Sequence, residues 1–147
     1  MASNIRKIGI IGAGQMGSGI AHVSALAGFD IKLNDTSEDK VKAGIATING
    51  NMARQVSRKR ISEEDRQAAL KRISPAANFD AFADCDLVIE AATEKEDVKR
   101  TIFANLCPHL KSTAIVGSNT SSISITRLAS STDRPERFIG IHFMNPV

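Results

Sequence analysis

Short apolar runs alternate with longer amphipathic stretches along the chain. Most of the runs are rich in Ile, Val and Leu, which is typical of strands that are buried on both faces of a parallel sheet. The stretches between them have the length and spacing of helices. The alternation therefore predicts an α/β fold with a doubly wound, mostly parallel sheet. The predicted strands comprise residues 8–11, 30–34, 86–91, 114–117 and 137–143.

The predicted helices fill the intervals between these strands. Gly28 follows the first helix as a residue suited to its C-terminal cap, and Ser62 precedes three acids as a candidate N-cap. The second and third helices together exceed what a simple crossover needs, so we expect a helical hairpin that projects from the sheet. Residues 75–79 are predicted to be a short edge strand or a loop. The predicted helices comprise residues 15–27, 39–58, 62–71, 95–106 and 124–129.

A glycine-rich turn joins the first predicted strand to the first helix, with the G-x-G-x-x-G sequence GAGQMG. In this context Gly12 permits the tight turn, Gly14 lets a pyrophosphate approach the backbone, and Gly17 lets helix and strand pack closely. A pyrophosphate would then lie at the helix N-terminus, where free amides favour an anion. The motif predicts a Rossmann-type dinucleotide site, with cofactor contacts at Gly12, Gly14, Gln15, Met16 and Gly17.

An acid, Asp35, directly follows the second predicted strand. A carboxylate at this place accepts hydrogen bonds from the adenosine ribose hydroxyls and repels a 2′-phosphate. It therefore favours NAD over NADP. FAD enzymes share the glycine motif, so the motif alone leaves the choice between NAD and FAD open.

Composition limits the classes of protein that remain. The 147 residues suffice for one domain, and 42% hydrophobic with 24% charged residues is typical of a globular protein. A net charge of +3 without Trp or Tyr is weak support for nucleic-acid binding, and no apolar run approaches a membrane span. We expect no nucleic acid, membrane or metal partner. The two cysteines are expected to be buried free thiols, and the absence of a visible targeting signal favours the cytoplasm.

Two segments near the end of the sequence are more specific than the glycine turn. They are Asn119-Thr120-Ser121-Ser122 and the stretch GIHFMNP at residues 140–146. Together with GAGQMG and VIEAATE, they make the chain similar to the L-3-hydroxyacyl-CoA dehydrogenase family over essentially its whole length. The resemblance implies NAD-dependent oxidation of (S)-3-hydroxyacyl-CoA, such as 3-hydroxybutyryl-CoA, to 3-ketoacyl-CoA and the reverse reaction.

The resemblance also implies roles for individual residues. His142 corresponds to the catalytic base, and a histidine suits proton removal near neutral pH. Ser121 lies near substrate and nicotinamide, and Asn145 helps to hold both. The long helical pair is where the family contacts the CoA moiety, and its basic residues in this chain include Arg54, Arg58, Lys59 and Arg60. The further cofactor contacts implied are Glu94, Lys99, Asn119, Ser121 and Asn145.

Each assignment has a plain structural alternative. His142 could be a core histidine, and Ser121 or Ser122 could only cap the helix that begins near residue 124. Lys99 could pair with Glu94 or Glu96 on a solvated helix face. Glu90 lies in an apolar strand where a lone carboxylate is costly, so we expect it at the carboxyl end of that strand.

The family places further parts after the segment that corresponds to residues 140–146. A glutamate that orients the histidine and a helical C-terminal domain, which provides the dimer interface, would follow Val147. We therefore expect residues 1–147 to be the NAD-binding domain of a longer, homodimeric two-domain enzyme, poorly active alone. Alternatives are a dehydrogenase of free hydroxyacids or sugar acids, or a non-catalytic dinucleotide-binding module.

Overall fold

A computed structural model describes residues 4–144, which form a six-stranded sheet. The strand order is β3-β2-β1-β4-β5-β6, and every strand pair is parallel. The direction of strand succession reverses between β1 and β4, as in doubly wound dinucleotide-binding folds. The predicted fold class is thus confirmed. The strands are β1 (Lys7–Ile11), β2 (Asp30–Asn34), β3 (Ile73–Pro75), β4 (Leu87–Glu90), β5 (Ile115–Ser118) and β6 (Phe138–Gly140).

Helices cover both faces of the sheet, and each face has its own apolar core. One core includes Ile20, Ile48 and Ala69, from the first three helices, and the other includes Phe103 and Leu128, from the last two. Ile10 of β1 faces the first core, whereas Ile11 faces the second, as strand alternation requires. The helices are α1 (Gln15–Leu26), α2 (Glu38–Ser57), α3 (Glu63–Lys71), α4 (Glu96–Leu106) and α5 (Ile125–Ser130).

The predicted caps are present. The Ser62 hydroxyl accepts a hydrogen bond from the Asp65 amide at 3.0 Å, and the Asp65 carboxylate accepts one from the Ser62 amide at 3.2 Å. This reciprocal pair satisfies two amides at the start of α3. Gly28 follows α1 with a φ of +104°, a conformation that glycine adopts without a Cβ penalty.

Helices α2 and α3 form the predicted hairpin, whose base packs on α1. The buried residues of α2 are Val41, Gly44, Ile48 and Met52, which recur at helical spacing. A Cβ on Gly44 would lie 2.9 Å from the Ala13 carbonyl oxygen, so α2 approaches the glycine turn closely. None of residues 53–68 is buried, which means that the far end of the hairpin projects from the sheet.

Two edge regions differ from the prediction. The edge strand β3 ends at Pro75, where the predicted segment began, and residues 79–82 form a 3-10 turn instead. Proline is tolerated there because an edge strand needs no amide on its outer side. Strand β6 ends at Gly140, so His142 lies beyond the sheet rather than inside a strand.

The two cysteines lie in the state that the sequence predicts. Cys85 and Cys107 are free and buried, and burial raises the pKa of each thiol to about 11. Both thiols are therefore protonated and unreactive near neutral pH. Among residues 4–144, no helix is both long enough and apolar enough to cross a bilayer.

Candidate functional site

The glycine turn has the geometry that its sequence requires. Gly12 has a φ of +106°, and a Cβ there would lie 2.6 Å from the carbonyl oxygen of Ala91. A Cβ on Gly17 would lie 1.6 Å from the Gly12 carbonyl oxygen, so no larger residue fits. Gly14 faces open space, with no atom within 4 Å of its Cβ position. The turn is therefore rigid on its protein side and open where a ligand would approach.

This open side fits a dinucleotide pyrophosphate. Gly14 is the N-cap of α1, and within residues 4–144 no side chain forms a capping hydrogen bond there, a geometry that suits an anion at the helix N-terminus. The first turn of α1 has no acidic residue that would repel a phosphate. Gln15 borders a cavity of about 300 Å³ between this turn and α2.

Asp35 anchors the turn from the end of β2. Its Oδ2 atom accepts a hydrogen bond from the Ala13 amide at 2.8 Å, and Oδ1 accepts one from the Thr36 amide at 2.6 Å. Each carboxylate oxygen can accept a second hydrogen bond. Asp35 also borders a cavity of about 270 Å³ beside Phe79 and Ile102. The carboxylate is thus available to ribose hydroxyls, and its predicted contact with them stays a prediction.

A second cleft, of about 330 Å³, opens on the other side of the turn. It brings together five of the residues predicted from sequence, which come from α1 and from the loops after β4, β5 and β6. Asn145, the other residue predicted for this region, lies outside the described residues. The lining residues are Met16, Glu94, Asn119, Thr120, Ser121, His142, Phe143 and Met144.

Hydrogen bonds hold the His142 segment against the end of β5. The Ile141 amide donates to the Ser118 carbonyl at 3.0 Å, and the Phe143 amide donates to Oδ1 of Asn119 at 3.0 Å. His142, between these two anchors, is exposed to the cleft. Within residues 4–144 its imidazole has no hydrogen-bond partner. The core-histidine interpretation is therefore wrong, and the ring is accessible to a ligand.

The segment from residue 119 to residue 122 is held by Glu94. Its Oε2 atom accepts hydrogen bonds from the hydroxyls of Thr120 at 2.8 Å and Ser122 at 3.0 Å. The N-cap of α5 is Ser124, whose hydroxyl accepts from the Arg127 amide, so neither Ser121 nor Ser122 caps that helix. The Ser121 side chain remains exposed in the cleft.

Lys99 does not lie on a solvated helix face, where pairing with Glu94 or Glu96 was the structural alternative. Its side chain is fully buried and forms an ion pair with Glu90, not with Glu94 or Glu96. Glu90 lies at the carboxyl end of β4, as expected, but it is not a lone carboxylate. The predicted contact of Lys99 with the cofactor stays a prediction, although 0% exposure leaves its ammonium no open path to a ligand in this conformation.

A third cavity, of about 420 Å³, lies between α1 and α2. Three arginines border it, together with the imidazole of His22, which contacts the Gln55 side chain at 2.7 Å. Lys59, between two of these arginines, has a φ of +59°. This left-handed residue follows the C-cap of α2 and reverses the chain. Its two neighbours, Arg58 and Arg60, both line the cavity. The arginines are Arg54, Arg58 and Arg60.

Sequence reasoning did not find Ser118 or Thr120 as parts of the site. Ser118 ends β5 and donates a hydrogen bond to Glu90 at 2.7 Å, and Thr120 donates to Glu94. The available signal was position alone, because ligand sites in open α/β sheets gather at the carboxyl ends of strands.

The strand order, the glycine turn and the cleft beside it define a dinucleotide-binding domain of the Rossmann type. Residues 7–147 match the family described as "3-hydroxyacyl-CoA dehydrogenase, NAD binding domain". The chain belongs to this family, as its sequence motifs predict. The family also decides between NAD and FAD in favour of NAD.

Relatives and solved structures agree with this assignment. The chain is 69% identical over 147 residues to 3-hydroxybutyryl-CoA dehydrogenase of Bradyrhizobium diazoefficiens. The match covers 100% of this chain and 50% of that protein. It is 42% identical over 141 residues to a probable 3-hydroxybutyryl-CoA dehydrogenase of Deinococcus radiodurans, and that match covers 96% of this chain and 50% of that protein.

Among solved structures, (S)-3-hydroxybutyryl-CoA dehydrogenase from Ralstonia eutropha matches with a TM-score of 0.96 and 43% identity. The match covers 98% of this chain and 51% of that one. The chain thus spans about half the length of each of these three relatives.

Proposed function

We propose that the protein containing this chain interconverts (S)-3-hydroxyacyl-CoA and 3-ketoacyl-CoA with NAD, and that residues 1–147 are its NAD-binding domain. The observation that carries the proposal is the cleft in which an exposed His142 meets Ser121 and Met16, directly beside the glycine turn. The names of the relatives support a CoA thioester substrate of about the size of 3-hydroxybutyryl-CoA.

The residues of the cleft suit the chemistry of a secondary alcohol. NAD, when bound, accepts the hydride that leaves the carbinol carbon. The pyrophosphate would be held beside Gly14 at the N-terminal end of α1, and the ribose at Asp35. His142 takes the proton of the substrate hydroxyl as a general base, and in the reverse direction its imidazolium returns that proton. The Ser121 hydroxyl donates a hydrogen bond to the same oxygen and orients it.

The first test is activity of the full-length protein with acetoacetyl-CoA and NADH, followed by NADH absorbance. His142→Gln is expected to lower kcat by about 10²- to 10⁴-fold, the usual contribution of a general base, while NADH binding stays unchanged. His109→Gln is the matched control, because His109 is an exposed histidine outside the cleft. Full activity of His142→Gln would refute the assignment of the base.

The same assay separates the alternatives. Turnover of free acetoacetate in preference to acetoacetyl-CoA would favour a dehydrogenase of free hydroxyacids. NADH binding without turnover of either compound would favour a non-catalytic module. Residues 1–147 alone are expected to bind NADH and to turn over poorly, because the proposed orienting glutamate and helical domain are not among them.

We also propose that the arginine-lined cavity between α1 and α2 accepts the phosphates of the CoA moiety. Arg58 and Arg60 flank the left-handed Lys59 and both line the cavity, where their guanidinium groups suit phosphate oxygens. The double variant Arg58→Ala/Arg60→Ala should raise KM for acetoacetyl-CoA about tenfold or more, at about 1.4 kcal/mol per factor of ten. KM for acetoacetyl-pantetheine, which lacks these phosphates, should stay unchanged.

We propose that the full-length protein is a homodimer formed through a helical C-terminal domain, and that it is cytoplasmic. The relatives, which are about twice as long as this chain, support the presence of a second domain. Sedimentation of the full-length protein, compared with a protein truncated after the NAD-binding domain, tests the dimer. A full-length monomer would contradict it.

A further inference from the structure

A buried polar cluster lies beneath the two loops that form the cleft. At its centre, Glu90 and Lys99 form an ion pair in which both side chains have 0% exposure. The Oε1 atom of Glu90 also accepts a hydrogen bond from the Ser118 hydroxyl at 2.7 Å. Its Oε2 atom accepts from the amides of Ala92 at 2.8 Å and Thr93 at 3.3 Å. One carboxylate thus connects the ends of β4 and β5, helix α4 and the loop at residues 91–95.

One side of this cluster touches the glycine turn. The carbonyl oxygen of Ala91 and the Cα of Ala92 lie 2.6 Å and 2.9 Å from the Cβ position of Gly12, so this loop and the turn are in direct contact. The same loop continues to Glu94, which lines the cleft. A shift of the Ala92 and Thr93 amides would therefore move both the wall of the cofactor site and the carboxylate of Glu94.

The other side of the cluster reaches His142. Ser118, which donates to Glu90, presents its carbonyl to the Ile141 amide, and the next residue, Asn119, accepts from the Phe143 amide. The Asn119 amide itself donates to the Glu90 carbonyl at 2.8 Å. His142 is thus held on both sides by groups that are one hydrogen bond away from Glu90.

An ion pair in this place is not explained by stability alone. A well-packed apolar pair of similar volume is often as stable as a buried salt bridge, because the desolvation of two charges offsets their attraction. What an ionised carboxylate adds is acceptor capacity for several short, directional hydrogen bonds at once. In this cluster those bonds go to the loop and the strand end that carry the two halves of the cleft.

We propose that Glu90, held in place by Lys99, is a positioning residue that sets the separation between the glycine turn and His142. In this arrangement Lys99 acts on the cleft through its ion pair with Glu90. The kinetic part of this inference rests on the proposed dehydrogenase function, whereas its geometric part does not.

The test uses the full-length protein with the neutral double variant Glu90→Gln/Lys99→Met, which avoids an unpaired buried charge. The melting temperature establishes that the variant is folded. We expect kcat with acetoacetyl-CoA to fall about tenfold or more, because small misplacements of reacting groups are costly, and both KM values to change less than about threefold. In protein labelled with ¹⁵N at Ile and Phe, the Ile141 and Phe143 amide resonances should shift.

A matched variant covers the case in which the double variant does not fold. Ser118→Ala leaves the ion pair intact and removes only the hydrogen bond that the Ser118 hydroxyl of β5 donates to Glu90. It should lower kcat about three- to tenfold, shift the same two amide resonances and leave the NADH dissociation constant unchanged. Glu96→Gln, at an exposed ion pair of α4, is the control and should change none of these quantities.

Two outcomes would overturn the inference. A folded variant with wild-type kcat and unshifted Ile141 and Phe143 resonances would leave the ion pair with a structural role only. A large rise in the NADH dissociation constant at constant kcat would mean that the pair contacts the cofactor directly. If the wild-type protein does not turn over acetoacetyl-CoA, the proposed function fails, and the amide shifts still decide whether the pair positions His142.

Discussion

The two ends of strand β4 use the same arrangement of groups in opposite environments. Asp86 precedes the strand and accepts from the amides of Arg6 and Lys7 at 2.8 and 3.0 Å and from Lys111 at 2.5 Å. Glu90 ends the strand and likewise accepts from two amides and a lysine. The Asp86 side chain is 20% exposed, whereas that of Glu90 is 0% exposed. Only the second end carries the cleft.

The two carboxylates hold different parts of the fold. At the amino end, water screens the charges, and the bonds from Asp86 hold the start of β1 beside the start of β4. At the carboxyl end, the groups are fully buried, and the partners of Glu90 include two amides of the loop that continues to the cleft. The same carboxylate chemistry therefore fixes strand register at one end and loop geometry at the other. Substitutions at the two ends should differ accordingly in size.

The largest effect is expected for Glu90→Gln alone. It leaves the Lys99 ammonium buried without a counter-charge, which costs about 3–5 kcal/mol of the free energy of unfolding. Urea unfolding followed by circular dichroism measures this loss. A loss below about 1 kcal/mol would mean that water reaches the pair, and the contrast between the two ends would disappear.

Asp86→Asn should have an intermediate effect of about 2 kcal/mol, because hydrogen bonds to a charged group are lost while the site stays accessible to water. Urea unfolding at pH 7 measures it, and the Ile141 and Phe143 amides should not shift. A shift of those amides would show that the amino end also controls the cleft.

The effect of Asp86 should depend on pH. Hydrogen bonds from Lys111 and from the Arg6 and Lys7 amides lower the pKa of Asp86 from 3.8 to about 2. Its folded pKa is therefore below its unfolded value, and its stabilisation is complete above about pH 4 and is lost as the pH falls towards 2. The stability difference between wild type and Asp86→Asn should shrink over this interval. A constant difference would contradict the charge as its origin.

The smallest effect is expected for Lys111→Met. The Lys111 side chain is 40% exposed, and an ion pair of this kind contributes less than about 1 kcal/mol. The pKa of Asp86, followed by the NMR shift of its carboxyl carbon, should rise from about 2 towards 3.8. Lys99→Met, at the other end of β4, is the comparison, and it should destabilise the protein far more because it leaves Glu90 buried and unpaired.

Local chemistry in the sequence was enough to predict the strands and helices and the turns and caps that bound them. The glycine turn could be assigned because Gly12 needs a positive φ and Gly17 lies against the Gly12 carbonyl oxygen, and both demands arise within the turn itself. The same holds for the capping box that begins α3 at Ser62. The segments that contain Ser121 and His142 predicted the cleft through family resemblance, and the structure places both residues in its lining.

The sequence by itself determined the strand–helix alternation, the cofactor turn and the residue types of the cleft, because each is encoded by neighbouring residues. Only the tertiary structure decided that Lys99 pairs with Glu90, that β3 ends at Pro75 and that His142 lies beyond β6. These outcomes depend on how α4, β4 and β5 pack. No local periodicity specifies that packing, because the partners belong to separate elements of the sequence.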